Sequence, residues 1–220
     1  RPPRSTLFPY TTLFRSHGNC STIHTTAMKT GLFFGSFNPI HIGHVAIAGY
    51  IVEFTDLEEL WFVVSPHNPL KPQAQLADIR HRMEMVKLAV ANLSPSMGVC
   101  DVEMQLPQPS YTIDTLKVLG EKYPQRQFTV IMGADSIDSI GKWKDSASLL
   151  NDYRIMVYPR LGSDMERIKR EYHVETLAAP IIELSSTFIR QCLRDGKIVQ
   201  YFMPSEAYRY MLTNRVYSNL

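Results

Sequence analysis

The sequence predicts an α/β fold, a Rossmann-like doubly wound parallel sheet built as one domain over Met28–Leu220. Three observations lead there. From Met28 onward, short apolar runs alternate with longer stretches compatible with helix, the pattern of strands joined by crossover helices. The second run, Leu60-Trp61-Phe62-Val63-Val64, is apolar throughout, as a strand covered on both faces must be. No internal repeat and no Pro/Gly/Ser-rich linker divides the region. In chain order the expected strands are Thr30–Phe34, Glu59–Val64, Gly98–Met104, Gln127–Met132, Arg154–Tyr158 and a last one near Glu175–Ala178. Helices are expected between them, and Glu206–Thr213 reads as a closing helix followed by a tail at Asn214–Tyr217. Ligands of such a sheet gather at the carboxyl ends of its strands.

The chain has 220 residues, of which 45% are hydrophobic and 20% charged, an ordinary globular balance that excludes disorder, collagen and coiled coil. Its longest apolar runs, such as Val45–Ala48, fall far short of the roughly 18–20 residues a membrane helix needs. No membrane partner is expected. Cys20, Cys100 and Cys192 form no CxxC pair and no zinc spacing, so a reducing, cytoplasmic setting is expected. The formal charge of +2 comes from Arg1, Arg4 and Arg15, the only charges before Met28, so the remainder lacks the basic footprint of a nucleic-acid binder.

Residues 1–27 read as a leader outside the fold. They contain no acid and no long apolar run ahead of a cleavage site, and Pro2, Pro3 and Pro9 would interrupt a transit-peptide helix. Thr6–Ser16, TLFPYTTLFRS, resembles the conceptual translation of a sequencing adapter. The leader is therefore expected to be non-native and disordered, with Met28 beginning the natural protein.

Two familiar phosphate-binding signatures are missing from the sequence: neither GxGxxG nor GxxxxGK[ST] occurs. The first strand is followed instead by Gly35-Ser36-Phe37-Asn38-Pro39-Ile40-His41-Ile42-Gly43-His44, which leads into an apolar helical stretch. Gly35 permits a tight turn, Pro39 fixes the chain direction, and His41 and His44 stand three apart where a helix begins, on one face. A helix amino terminus carries free N–H groups and partial positive charge, so this corner suits an anion, with Gly43 leaving room for it. The competing readings are an N-cap by Asn38 with buried histidines, or a pair of metal ligands. Without a nearby third ligand the HxxH is weak evidence for a metal, and no metal-binding residue is assigned.

GSFNPIHIGH resembles the HxGH signature of the nucleotidyltransferase superfamily, whose members transfer a nucleotidyl group from a nucleoside triphosphate and release pyrophosphate. Leu184-Ser185-Ser186-Thr187-Phe188-Ile189-Arg190 is similar to the superfamily's ISSTxxR segment. Taken alone, its hydroxyls could be only an N-cap cluster. The resemblance implies the nucleotidyltransferase type of the fold, ATP contacts from Gly35, Ser36, Phe37, His41, His44, Ser185, Ser186, Thr187 and Arg190, and catalytic roles for His41, His44 and Arg190. Magnesium is implied as the ion that accompanies ATP.

The middle of the chain addresses the second substrate. Ser110-Tyr111-Thr112-Ile113-Asp114-Thr115-Leu116 resembles the SYTxDTL block of bacterial nicotinate-nucleotide adenylyltransferases. Its bland alternative is an ordinary helix start with Thr112 as N-cap. Gly133-Ala134-Asp135-Ser136, followed by Trp143, is similar to the GxDS…W segment of the same family, in which the Trp stacks on the pyridine ring. The resemblance implies nicotinate mononucleotide as partner to ATP. Its contacts would be Ser110, Tyr111, Thr112, Thr115, Gly133, Asp135 and Trp143, with Lys71 in the loop after the second strand. By analogy it also implies a homodimer. Ser36 and Asn38 depart from the Gly and Asp commonest in the first motif, and Lys144 stands where an aromatic often follows the Trp. Arg80 and Arg82 read equally as a solvated helix face. Other acceptors, nicotinamide mononucleotide or phosphopantetheine, and a catalytically silent nucleotide-binding module are the competing functions.

Overall fold

A computed structural model describes residues 27–67, 76–91 and 93–218. Six strands are present: β1 (Met28–Gly35), β2 (Glu59–Val64), β3 (Met97–Cys100), β4 (Arg126–Gly133), β5 (Arg154–Tyr158) and β6 (Glu175–Thr176). They form one parallel sheet in the order β3-β2-β1-β4-β5-β6. The order reverses between β1 and β4, the topological switch point where a doubly wound sheet opens its ligand crevice.

Side-chain alternation along the strands builds two cores. Phe33, Phe62, Val64, Ile131 and Met156 point to one face of the sheet, while Leu32, Val63, Val130, Ile155 and Val157 point to the other. The first face is covered by α1 (Ile42–Phe54), α2 (Ile79–Val90), α7 (Ser186–Arg194) and α8 (Ser205–Thr213). The second is covered by α3 (Thr112–Lys122), α4 (Ala134–Ile137), α5 (Ser146–Asp152) and α6 (Met165–Tyr172). Each inner strand is apolar on both sides because each side meets helices.

Two expected strands are shorter than their apolar runs. The run Gly98–Met104 is strand only to Cys100, then a 3-10 turn at Val102–Met104. β3 lies at the sheet edge and pairs with Leu60–Val63, and past Cys100 the chain turns so that Glu103 faces inward and accepts from Ser110 and Thr115. The last strand shrinks to Glu175–Thr176, although the Leu177 N–H still donates to Val157 O at 2.9 Å.

Of the two arginines near the start of α2, Arg80 has a largely exposed side chain, whereas Arg82 is 1% exposed. Arg82 lies on the apolar stripe of α2 with Met85, Val86 and Ala89, and its side chain runs under the sheet's carboxyl end. Its guanidinium donates to four carbonyls: Ala77 O at 2.9 Å, Ser36 O at 2.7 Å, Ser65 O at 2.8 Å and Pro66 O at 2.8 Å. The loops after β1 and β2 are thereby held to the start of α2. Removing that guanidinium leaves four partly buried carbonyls without their shared donor. Arg82→Met is expected to lose about 3 kcal/mol or more in urea denaturation. Arg80→Met should stay within about 0.5 kcal/mol of wild type in the same measurement.

Candidate active site

The turn after β1 creates the first half of the site. Phe37 takes a left-handed conformation, φ 43°, which is unfavourable for a residue with a Cβ and is held by its burial. Its ring meets Phe33 edge-on at 5.8 Å and His44 at 5.0 Å. Asn38 does not cap α1; it is buried, its Oδ1 accepting from Ala77 N–H at 3.1 Å and from the Tyr217 hydroxyl at 2.7 Å. The N-cap is His41. His41 Nδ1 accepts from His44 N–H at 3.3 Å and His44 Nδ1 accepts from His41 N–H at 3.2 Å, a reciprocal capping box written in imidazoles.

That box decides the histidine chemistry. A ring nitrogen that accepts a backbone N–H cannot carry the proton, so each neutral ring keeps its hydrogen on Nε2 as a donor. The two rings stack at 3.6 Å with planes 21° apart. Burial, reinforced by the positive charge of Arg160, lowers the His41 pKa to about 4, so this imidazole is neutral at physiological pH. Gly43 is needed for close approach: a Cβ there would lie 3.0 Å from His41 Nδ1 and 3.3 Å from Ile182.

The start of α7 closes on the same corner. Ser185 Oγ caps the helix by accepting from Phe188 N–H at 3.1 Å, and the Ser186 hydroxyl donates to Pro39 O at 2.8 Å. Arg190, 9% exposed, donates to Asn38 O at 2.8 Å and lies 3.4 Å from Thr187 Oγ1. Two helix starts therefore face one cavity of about 530 Å³, each with first-turn N–H groups that have no acceptor within their own helix. All nine residues expected to contact ATP line it: Gly35, Ser36, Phe37, His41, His44, Ser185, Ser186, Thr187 and Arg190.

A second cavity of about 320 Å³ shares the walls at Gly35, Ser36, Ser136 and Tyr158 with the first. Ser110, Tyr111, Thr112, Gly133 and Trp143, expected on the pyridine nucleotide, line this one. The N-cap of α3 is Tyr111 rather than Thr112, and no side chain caps the helix, which leaves its first amides open. Trp143 Nε1 and His67 Nδ1 on the wall are buried without a hydrogen-bond partner, polar atoms that a ligand would satisfy. Lys144 bridges the two walls, donating to Asp114 at 2.7 Å with its ammonium 4.9 Å from the Tyr111 ring centroid.

Two expected contacts lie elsewhere. Thr115 is fully buried and does not line the cavity; its hydroxyl donates to Glu103 Oε1 at 2.9 Å. Asp135 belongs to the wall of the first cavity, 3.6 Å from the Arg160 guanidinium. Lys71 lies outside the described residues. Arg160, His67 and Glu103 line the cavities without having been singled out from the sequence. Glu103 shares its expected strand with a second acid, Asp101, so its type alone did not single it out; the other two lie on strand-end loops, where side-chain direction has no period to betray it.

The depressed pKa of His41 gives stability a pH dependence. In the unfolded chain the imidazole takes its proton near pH 6.5, whereas in the folded protein it resists until about pH 4. The unfolded state thus binds more protons across that window, and stability falls as pH drops through it. His41→Asn keeps an N-cap acceptor and cannot titrate. Denaturation midpoints from pH 7 to pH 4.5 should fall less steeply for this variant than for wild type.

The cytidylyltransferase-like family profile matches residues 32–192. A probable nicotinate-nucleotide adenylyltransferase of Flavobacterium johnsoniae is 43% identical over 192 residues, 86% of this chain and 99% of the relative. Its counterpart in Bacteroides fragilis is 44% identical over 184 residues, covering 84% and 91% of the two chains. Among solved structures, Plasmodium falciparum nicotinic acid mononucleotide adenylyltransferase complexed with NaAD superposes with a TM-score of 0.74 at 20% identity, over 86% of this chain and 97% of that one. The fold is therefore shared well beyond close sequence similarity. Two adjoining cavities at the switch point of a 3-2-1-4-5-6 sheet and these relatives agree: the chain belongs to the cytidylyltransferase-like family, in its nicotinate-nucleotide adenylyltransferase branch.

Proposed function

We propose that the protein transfers the adenylyl group of ATP to nicotinate mononucleotide, forming nicotinate adenine dinucleotide and pyrophosphate in NAD biosynthesis. One observation carries this reading: a cavity built from two helix starts, suited to an anion, shares its wall at Gly35 and Ser36 with an aromatic-walled cavity at a third helix start. Two substrates seated in them would meet at the carboxyl end of β1.

The chemistry asks little of a base. A 5′-phosphate oxygen of the mononucleotide, already ionised at neutral pH, attacks the α-phosphorus of ATP; the bond to the β-phosphate bridging oxygen breaks and pyrophosphate leaves with that electron pair. Catalysis is then alignment and stabilisation of developing charge. The Nε2–H groups of His41 and His44 would donate to oxygens around the α- and β-phosphates. Thr187, Arg190 and the first amides of α7 would hold the β- and γ-phosphates. Ser185 and Ser186 would contribute through backbone N–H groups, since their hydroxyls serve the Phe188 amide and the Pro39 carbonyl. Magnesium enters as part of the Mg·ATP substrate. Among the described residues no three His, Cys, Asp or Glu side chains gather as a metal cage.

In the second cavity, Trp143 would stack on the pyridine ring and the open amides of α3 would receive its carboxylate. We place the reaction in the cytoplasm; among the described residues no helix is long and apolar enough to cross a membrane, and Cys100 and Cys192 are free thiols. The direct test is pyrophosphate release with Mg·ATP and nicotinate mononucleotide, nicotinamide mononucleotide or phosphopantetheine, with the product identified by mass. Preference for nicotinate mononucleotide is expected; turnover with phosphopantetheine alone would overturn the pyridine reading.

His44→Ala should lower kcat about 10²–10³-fold. His44→Gln, which retains an acceptor for the His41 N–H and so the capping box, should fold like wild type yet share most of that loss. For Trp143→Ala the KM for the mononucleotide should rise while that for ATP holds; the opposite pattern would place the indole on the adenine side.

A further inference from the structure

Glu103 is 2% exposed, lies in the 3-10 turn after β3, and lines the second cavity. Its carboxylate accepts from the Ser110 hydroxyl at 2.9 Å through Oε2 and from the Thr115 hydroxyl at 2.9 Å through Oε1. Its backbone carbonyl accepts from Gln108 Nε2 at 2.9 Å. One residue thus grips the segment leading into α3 at positions 108, 110 and 115, on both sides of Tyr111, the N-cap. Among the described residues no Lys or Arg forms a salt bridge with it; its hydrogen-bonding is directed at this segment. A buried acid that holds no counter-cation and packs no catalytic group is costly to keep for shape alone.

We propose that Glu103 is a positioning residue for the pyridine nucleotide: by drawing the Ser110 and Thr115 hydroxyls onto itself, it turns the open amides at the start of α3, rather than those hydroxyls, toward the substrate's carboxylate. The consequence is a division of labour within one short block. Ser110 and Thr115 serve the protein, and the backbone N–H groups of the first helical turn serve the ligand. This inference rests on the pyridine-nucleotide reading of the second cavity and adds to it the residue that fixes the geometry of recognition.

Glu103→Gln preserves volume but cannot accept from two hydroxyls without one of them reversing. The variant is expected to raise the KM for nicotinate mononucleotide about tenfold, a loss on the scale of one charge-assisted hydrogen bond, while kcat and the KM for ATP stay within about twofold. Calorimetric titration with nicotinate mononucleotide alone should show the same weakening. The KM for nicotinamide mononucleotide should move less, narrowing the preference for acid over amide, which a purely structural role would leave in place. Ser110→Ala with Thr115→Val keeps the carboxylate and removes its partners; it should reproduce the KM effect, and combining it with Glu103→Gln should add little, since all three act through one contact set. Should Glu103→Gln not fold, the hydroxyl pair carries the same test. Wild-type enzyme that ignores nicotinate mononucleotide would overturn the substrate reading and this assignment together. Wild-type enzyme that uses it, while the variants keep its KM or lose ATP binding equally, would overturn the assignment alone.

Discussion

The buried guanidinium of Arg82 is the contact on which the working end of the molecule depends. The loops after β1 and β2 leave the sheet side by side, and their carbonyls have no ladder partners once the strands end. Ser36, Ser65 and Pro66 present such carbonyls at that point, and Arg82 reaches up from α2 to satisfy them together with Ala77 O. A planar cation with five donors in fixed directions can do this; a lysine, with a single ammonium, cannot span the same carbonyls. Ser36 lies on the wall common to both cavities, so the guanidinium that joins two loops also fixes the place where two substrates would meet.

Around that floor a second network ties distant segments to Asn38. Its side-chain oxygen takes the Ala77 amide and the Tyr217 hydroxyl, and its carbonyl takes Arg190. The chain's closing segment, the start of α2 and α7 are thereby referred to one residue of the β1–α1 turn. Ser186 adds a bond to Pro39 next door, so the amino termini of α1 and α7 cannot drift apart without breaking contacts. Convergence of two helix starts is electrostatically unfavourable without an anion between them, since both present partial positive charge. The fold meets that cost with packing and hydrogen bonds and leaves the cavity prepared for negative charge.

The histidine pair shows how structure and chemistry share atoms here. Capping uses Nδ1 of each ring, and the same bonds place the proton on Nε2. A conventional Ser and Glu capping box would stabilise the helix equally well but would leave no imidazole donors at its mouth. Burial keeps His41 neutral, which suits a donor that stabilises charge without itself exchanging a proton.

Much of this was legible in one dimension. The alternation of apolar runs and helical stretches specified the parallel sheet, because strands covered on both faces must be apolar throughout; and contiguous motifs such as GSFNPIHIGH carried the turn, the cap and the histidines in one stretch of chain. Local patterns survive in sequence because their physics is local. Arg82, which the sequence left reading as part of a solvated face, is instead carried inward, where the carbonyls after β1 and β2 partner its guanidinium. What only the tertiary structure decided is which distant groups share hydrogen bonds. Thr115, implied as a substrate contact, serves Glu103; Asn38, for which a helix cap was only the competing reading, receives Tyr217 from 179 residues away; Asp135 faces the first cavity rather than the second. A hydroxyl or amide can satisfy its hydrogen-bonding with many partners, and sequence records the capacity while packing selects the partner.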